Sequence, residues 1–188
     1  MLGQRTIKTV LNEPWDFGDV EKILEAGKEN EDGKTKRVEA MEEAKTQHRQ
    51  KTASELGGLA KVVKDEGWDK GGDGGLRGLL EGVGKEDVQA ELRRLLTEKV
   101  KGLGGTGVDI FMRRVQGCEG WEGIGWFVDR KTKGALEELG LPGEGQELKK
   151  CVEGSGVEDV RRSFVVILER ALGILLEGKQ KEVRGKME

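Results

Sequence analysis

Apolar positions along this chain recur three or four residues apart, and they almost never alternate. Val160, Phe164, Ile167, Leu168, Ala171, Leu172 and Leu175 trace one face and predict a helix over Val157–Leu176. The same spacing places Val88, Leu92, Leu95 and Leu96 on a helix over Lys85–Thr97. Leu56, Leu59, Ala60 and Val63 do so over Thr52–Lys64, and Val38, Met41 and Ala44 over Thr35–Gln47. Shorter helical segments are expected at Thr6–Leu11, Val20–Ala26, Leu76–Leu80, Val108–Val115, Asp129–Leu139 and Gln146–Glu153. Asp19 reads as the N-cap of Val20–Ala26, and Gly27 as its stop. The polar stretch Lys28–Lys36, the glycine-rich Gly67–Gly75, Gly117–Gly125 and the turn Leu141–Gly145 separate these segments. No segment reads as a strand, and no repeat is visible. The expected fold is all-α, a compact multi-helix domain.

Composition narrows the picture. A chain of 188 residues suits one domain, placed at 1–178 with a charged tail at 179–188. Charged residues reach 37% against 35% hydrophobic, yet the apolar residues are clustered enough to build a core. The net charge of −3 rules out attraction of the whole molecule to nucleic acid, so any such binding needs a local patch. Between Glu91 and Cys118, six basic residues (Arg93, Arg94, Lys99, Lys101, Arg113 and Arg114) face three acids, a local +3. Cys118 and Cys151 stand far apart without histidine neighbours, which excludes zinc and iron–sulfur ligation by paired spacing and suggests reduced thiols in an intracellular protein. His48 is the only histidine, so no histidine-based triad is available and its expected role is surface or capping. No apolar run approaches the roughly 20 residues of a membrane span, and Met1–Val10 lacks the apolar centre of a signal peptide.

The segment with chemistry is Val100-Lys101-Gly102-Leu103-Gly104-Gly105-Thr106-Gly107-Val108. Two helices joined by a tight Gly-x-Gly turn leave the amides of the turn and of the next helix pointing outward, where an anion fits. Gly102 and Gly104 are expected to take backbone angles that other residues resist. Gly102, Leu103, Gly104, Gly105 and Thr106 are therefore candidate phosphate contacts, against the plainer reading of an interhelical turn. A dinucleotide-binding reading fails because no hydrophobic strand precedes these glycines.

The order of features around the turn resembles the helix-hairpin-helix DNA glycosylases of base-excision repair, the endonuclease III superfamily. Lys101-Gly102-Leu103-Gly104-Gly105-Thr106-Gly107 is followed by Val108-Asp109-Ile110-Phe111-Met112 and then by Phe127-Val128-Asp129-Arg130-Lys131-Thr132. Upstream, His48-Arg49-Gln50-Lys51-Thr52-Ala53 is similar to a family helix start, and Met1-Leu2-Gly3-Gln4-Arg5 to the end of a Leu-Leu-Ser-x-Gln helix. The resemblance implies double-stranded, damaged DNA as the partner of a monomer and Asp129 as the catalytic carboxylate. It also implies a phosphate contact at Lys51, a wedge for the flipped-base gap at Gln4, and a monovalent cation on the hairpin carbonyls. No other cofactor is expected.

Departures limit the chemistry. Thr106 stands where bifunctional members carry a nucleophilic lysine, so no Schiff base and no lyase step is expected. The family's four-cysteine cluster is absent, and if Met1-Leu2 fall partway through a family helix the domain is short at its N-terminus. Asp129 also reads as an N-cap for the helix that follows it. Trp121 and Trp126, flanking the loop before Asp129, either stack on a base or pack in the core. Two readings remain open: a monofunctional glycosylase, or a non-catalytic DNA-binding or protein-interaction module on the same scaffold.

Overall fold

The structure, a computed structural model, describes residues 4–70, 76–81, 83–84 and 87–185, without the side chains of Gln4 and Arg5. It is all-helical, and among the described residues the single β-type pairing is an isolated bridge between Glu29 and Thr35. In chain order the helices are α1 (Gln4–Leu11), α2 (Val20–Glu25), α3 (Lys36–Glu43), α4 (Arg49–Asp65), α5 (Gly78–Glu81) and α6 (Val88–Lys99). They continue with α7 (Gly105–Val115), α8 (Arg130–Glu138), α9 (Gly145–Gly154), α10 (Val160–Glu177) and α11 (Gln180–Arg184). The chain divides into two compact units, Met1–Gly105 and Thr106–Glu188. No described helix is long and apolar enough to cross a membrane.

The helix starts follow capping chemistry. Asp19, Thr35, Asp87, Asp129 and Asp159 each place a side-chain oxygen on a first-turn amide of the helix they precede, satisfying a donor that has no partner within the helix. The boundary that differs most from the sequence expectation lies between α3 and α4; α7 also starts three residues earlier than expected, at Gly105, and α10 three residues later, at Val160. The helix expected over Thr35–Gln47 ends at Glu43, because Lys45 turns left-handed at φ 55 and the Thr46 amide reaches back to Met41 O at 2.9 Å. This is a C-terminal cap of the kind glycine usually makes. The next helix then starts at Arg49, a turn before the expected Thr52. Lys85 and Glu86, where the expected sixth helix began, lie outside the described residues, as does most of the glycine-rich loop at 71–75.

In the first unit α4 packs against α2 and α3, and α1 against α3. Val10, Phe17, Ile23, Ala26, Ala40, Met41, Ala53 and Ala60 form the buried cluster. The small residues along α4 let neighbours approach closely. Gly57 faces Gly27 across the Arg37 guanidinium, and a Cβ on either glycine would overlap that side chain. In the second unit α10 packs on α8 and α9 around Ala135, Leu136, Leu148, Val152, Phe164 and Leu168. Residues from 179 onward, expected as a charged tail, include α11, which has no buried residue.

Candidate nucleic-acid interface

Three short features of the first unit converge on one groove of about 630 Å³. The loop Lys45-Thr46-Gln47-His48, the first turns of α4 (Lys51, Thr52, Glu55, Leu56) and the link Val100-Lys101-Gly102-Leu103 line it, with Thr6 from α1 and Leu59 further along α4. Leu56, Leu59, Val100 and Leu103 make an apolar floor, while Lys45, His48, Lys51 and Lys101 bring cationic or protonatable groups to it. Three of the DNA contacts expected from the sequence, Lys51, Gly102 and Leu103, therefore meet in one place.

The electrostatics of α4 sharpen this. His48 occupies its N-cap position without a side-chain hydrogen bond to the first turn, which contains no acid. Instead that turn carries Arg49 and Lys51, both exposed. Arg49 faces Glu42 and Lys51 faces Glu55, each at 3.7 Å, but both pairs are exposed and loose, and the first amides of α4 lack a side-chain cap, so an anion is favoured at this helix start. Lys45, at the left-handed position that caps α3, adds its ammonium group to the groove.

Around the turn that follows α6, Gly102 has φ 86, so glycine is required there. Gly104 does not lie in the left-handed region: α7 begins at the next residue, and Gly104 simply leads into it. The expectation that both glycines supply unusual angles is corrected to Gly102 alone. Gly104 instead leaves space, since a Cβ there would meet nothing within 4 Å. Leu103 N donates to Val100 O at 3.1 Å and closes the turn. Gly104, Gly105 and Thr106 are exposed, and the first amides of α7 have no acceptor in their own helix.

The local +3 expected between Glu91 and Cys118 is largely spent. Arg94 pairs with Glu91 and Glu98, and Lys99 with Glu66. Arg113 pairs with Asp129 and Glu169, and Arg114 with Glu169. Lys45 and His48 were missed as groove residues because the helix expected over Thr35–Gln47 hid the loop they belong to. Gln4 opens α1, but its side chain lies outside the described residues, as do Met1–Gly3.

Asp129 belongs to the second unit and is 7% exposed. One carboxylate oxygen accepts from the amides of Lys131 and Thr132, both at 3.0 Å. The other accepts from Arg113 Nη1 at 2.7 Å and Thr132 Oγ1 at 2.6 Å. Four donors match the roughly four lone-pair sites of a carboxylate, so no acceptor capacity is left for water or a sugar. Burial alone would raise its pKa, but the hydroxyl of Thr132, the guanidinium of Arg113 and the Thr132 amide outweigh that and hold it below the usual carboxylate range. Arg113 is itself 2% exposed, and its Nε donates to Glu169 at 2.8 Å. Glu169 resists ionisation through burial, but Arg114 and Arg113 lower it on balance.

The tryptophans that flank this region are packing residues. Trp121 is 2% exposed and meets Phe111 edge-on at 5.4 Å between ring centroids. Trp126 lies edge-on to Phe164 at 5.0 Å and under the Arg161 guanidinium at 4.6 Å. Among the described residues, no three His, Cys, Asp or Glu side chains gather closely enough to hold a metal ion. Comparison with protein-family models, with curated proteins and with solved structures yields no match to this chain.

Proposed function

We propose that this chain binds the sugar–phosphate backbone of double-stranded DNA, as a non-catalytic module of the helix-hairpin-helix glycosylase type. The convergence of Lys45, His48, Lys51 and Lys101 on the groove beside the Gly102 turn and the uncapped start of α4 carries this reading. Phosphates take the cationic residues of the groove and the exposed amides of Gly104 and Gly105, contacts that position a duplex without reading its sequence. The apolar floor of Leu56, Leu59, Val100 and Leu103 suits a nucleotide that has left the stack, which is cheapest at a damaged or abasic position. Asp129 has a structural role in this reading, because its four acceptor sites are filled from within the second unit.

Fluorescence anisotropy with an abasic-analogue duplex and the intact duplex, over stepped salt concentrations, tests the proposal. Affinity should fall steeply with salt, and the abasic duplex should bind more tightly. Equal, weak binding to both, or binding indifferent to salt, contradicts it. Base release from a panel of lesions that disappears in Asp129→Asn would instead establish the catalytic reading.

A further inference from the structure

One carboxylate lies among the residues that line the groove. Glu55, on the second turn of α4, holds Oε1 3.3 Å and Cδ 3.8 Å from where a Cβ on Gly102 would stand. The carboxylate therefore rests against the open face of the hairpin turn, at a residue whose φ of 86 excludes a side chain that would push it away. The same oxygen faces Lys51 Nζ at 3.7 Å, one helical turn back. Both partners are well exposed, with side chains 75% and 50% accessible, so the pair is loose and replaceable. Glu55 thus stands beside both Lys51 and the Gly102 turn, where an incoming anion would meet its charge.

We propose that Glu55 is an electrostatic gate on the phosphate site: its carboxylate engages Lys51 and shields the Gly102 turn, and an incoming DNA phosphate must displace it. This inference rests on the DNA-binding reading above and names the residue that sets its affinity. The gate works against the phosphate in two ways, by repulsion at short range and by holding Lys51. Both effects are partly screened by solvent and salt at this exposure, so the gate tunes affinity without closing the site.

The test uses the full chain and a labelled abasic-analogue duplex at low and at high salt. Glu55→Gln keeps the shape and removes the charge, and should tighten binding about five-fold at low salt, with the gain shrinking as salt rises. Glu55→Asp keeps the charge and should stay close to wild type. Glu55→Ala should also bind more tightly than wild type, and Lys51→Met should bind more weakly. Thermal melts of each variant confirm folding. Wild-type binding with Glu55→Gln unchanged or weaker overturns the gate while leaving the DNA-binding reading standing. Absence of binding by both wild type and Glu55→Gln overturns both.

Discussion

Asp129 shows how one residue can satisfy two sequence-based readings and how geometry weighs them. As an aspartate at the start of a helix it was legible as a cap, and as the acid of a Val-Asp pair after the hairpin it was legible as a catalytic group. What could not be read was Arg113. Its position along α7 does not mark it as buried, and its partner Glu169 is 56 residues away. That network makes a stability prediction. Asp129→Ala removes one of the two carboxylates on the buried Arg113 guanidinium and the cap of α8, while Glu169 remains, and should destabilise the chain by roughly 2–3 kcal/mol in urea denaturation. The pH dependence follows in sign. Asp129 and Glu169 are both more acidic folded than unfolded, so their contribution is complete above the ordinary carboxylate range, around pH 4, and is lost as pH falls through their folded values. The urea midpoint should drop between pH 6 and pH 3, as is general for acid unfolding, and Asp129→Ala should drop less. An equal drop in both would remove Asp129 from the acid response.

At the scale of elements, apolar periodicity located the long helices well, because a single buried face dominates each of them. α10 starts three residues later than expected and α6 keeps its expected apolar stripe, with Leu92 and Leu96 buried. The α3–α4 junction was missed for a physical reason: its stop is Lys45 in a left-handed conformation, and lysine sends no stop signal in a sequence. The groove depends on that junction, so the site was only partly legible through Lys51, Gly102 and Leu103. Two glycines separate fold from binding. Gly145 begins α9 where a Cβ would overlap the Trp126 carbonyl oxygen, a backbone atom that cannot swing aside. Gly145→Ala should therefore cost roughly 2 kcal/mol or more, read as a lower melting temperature. Gly104 has open space, so Gly104→Ala should melt at or slightly above the wild-type temperature. Its added methyl would stand where a phosphate approaches the backbone, and DNA affinity should fall several-fold. Unchanged affinity in that variant would move the phosphate away from the turn.

For the whole molecule, a net charge of −3 and extensive internal ion pairing mean that sequence-wide charge says little about partners. Pairing engages most of the basic residues between Glu91 and Cys118, whereas Lys45, Lys51 (loosely paired with Glu55) and Lys101 come to the groove from three separate stretches of the first unit. Only folding brings Lys45, Lys51 and Lys101 together, which is why the sequence pointed to the hairpin but not to the groove beside it. The all-helical class was legible from spacing alone, whereas the division into units at Gly105 was not, since the break falls inside the glycine-rich turn at the start of α7 rather than in a linker. The central claim, that this groove holds DNA phosphates, is tested most directly by the slope of log K against log salt for wild type and Lys101→Met on one duplex. Three lysine–phosphate contacts predict a wild-type slope of about −3, falling in magnitude by about 1 in the variant. A slope near zero, or one that Lys101→Met leaves unchanged, would contradict the account.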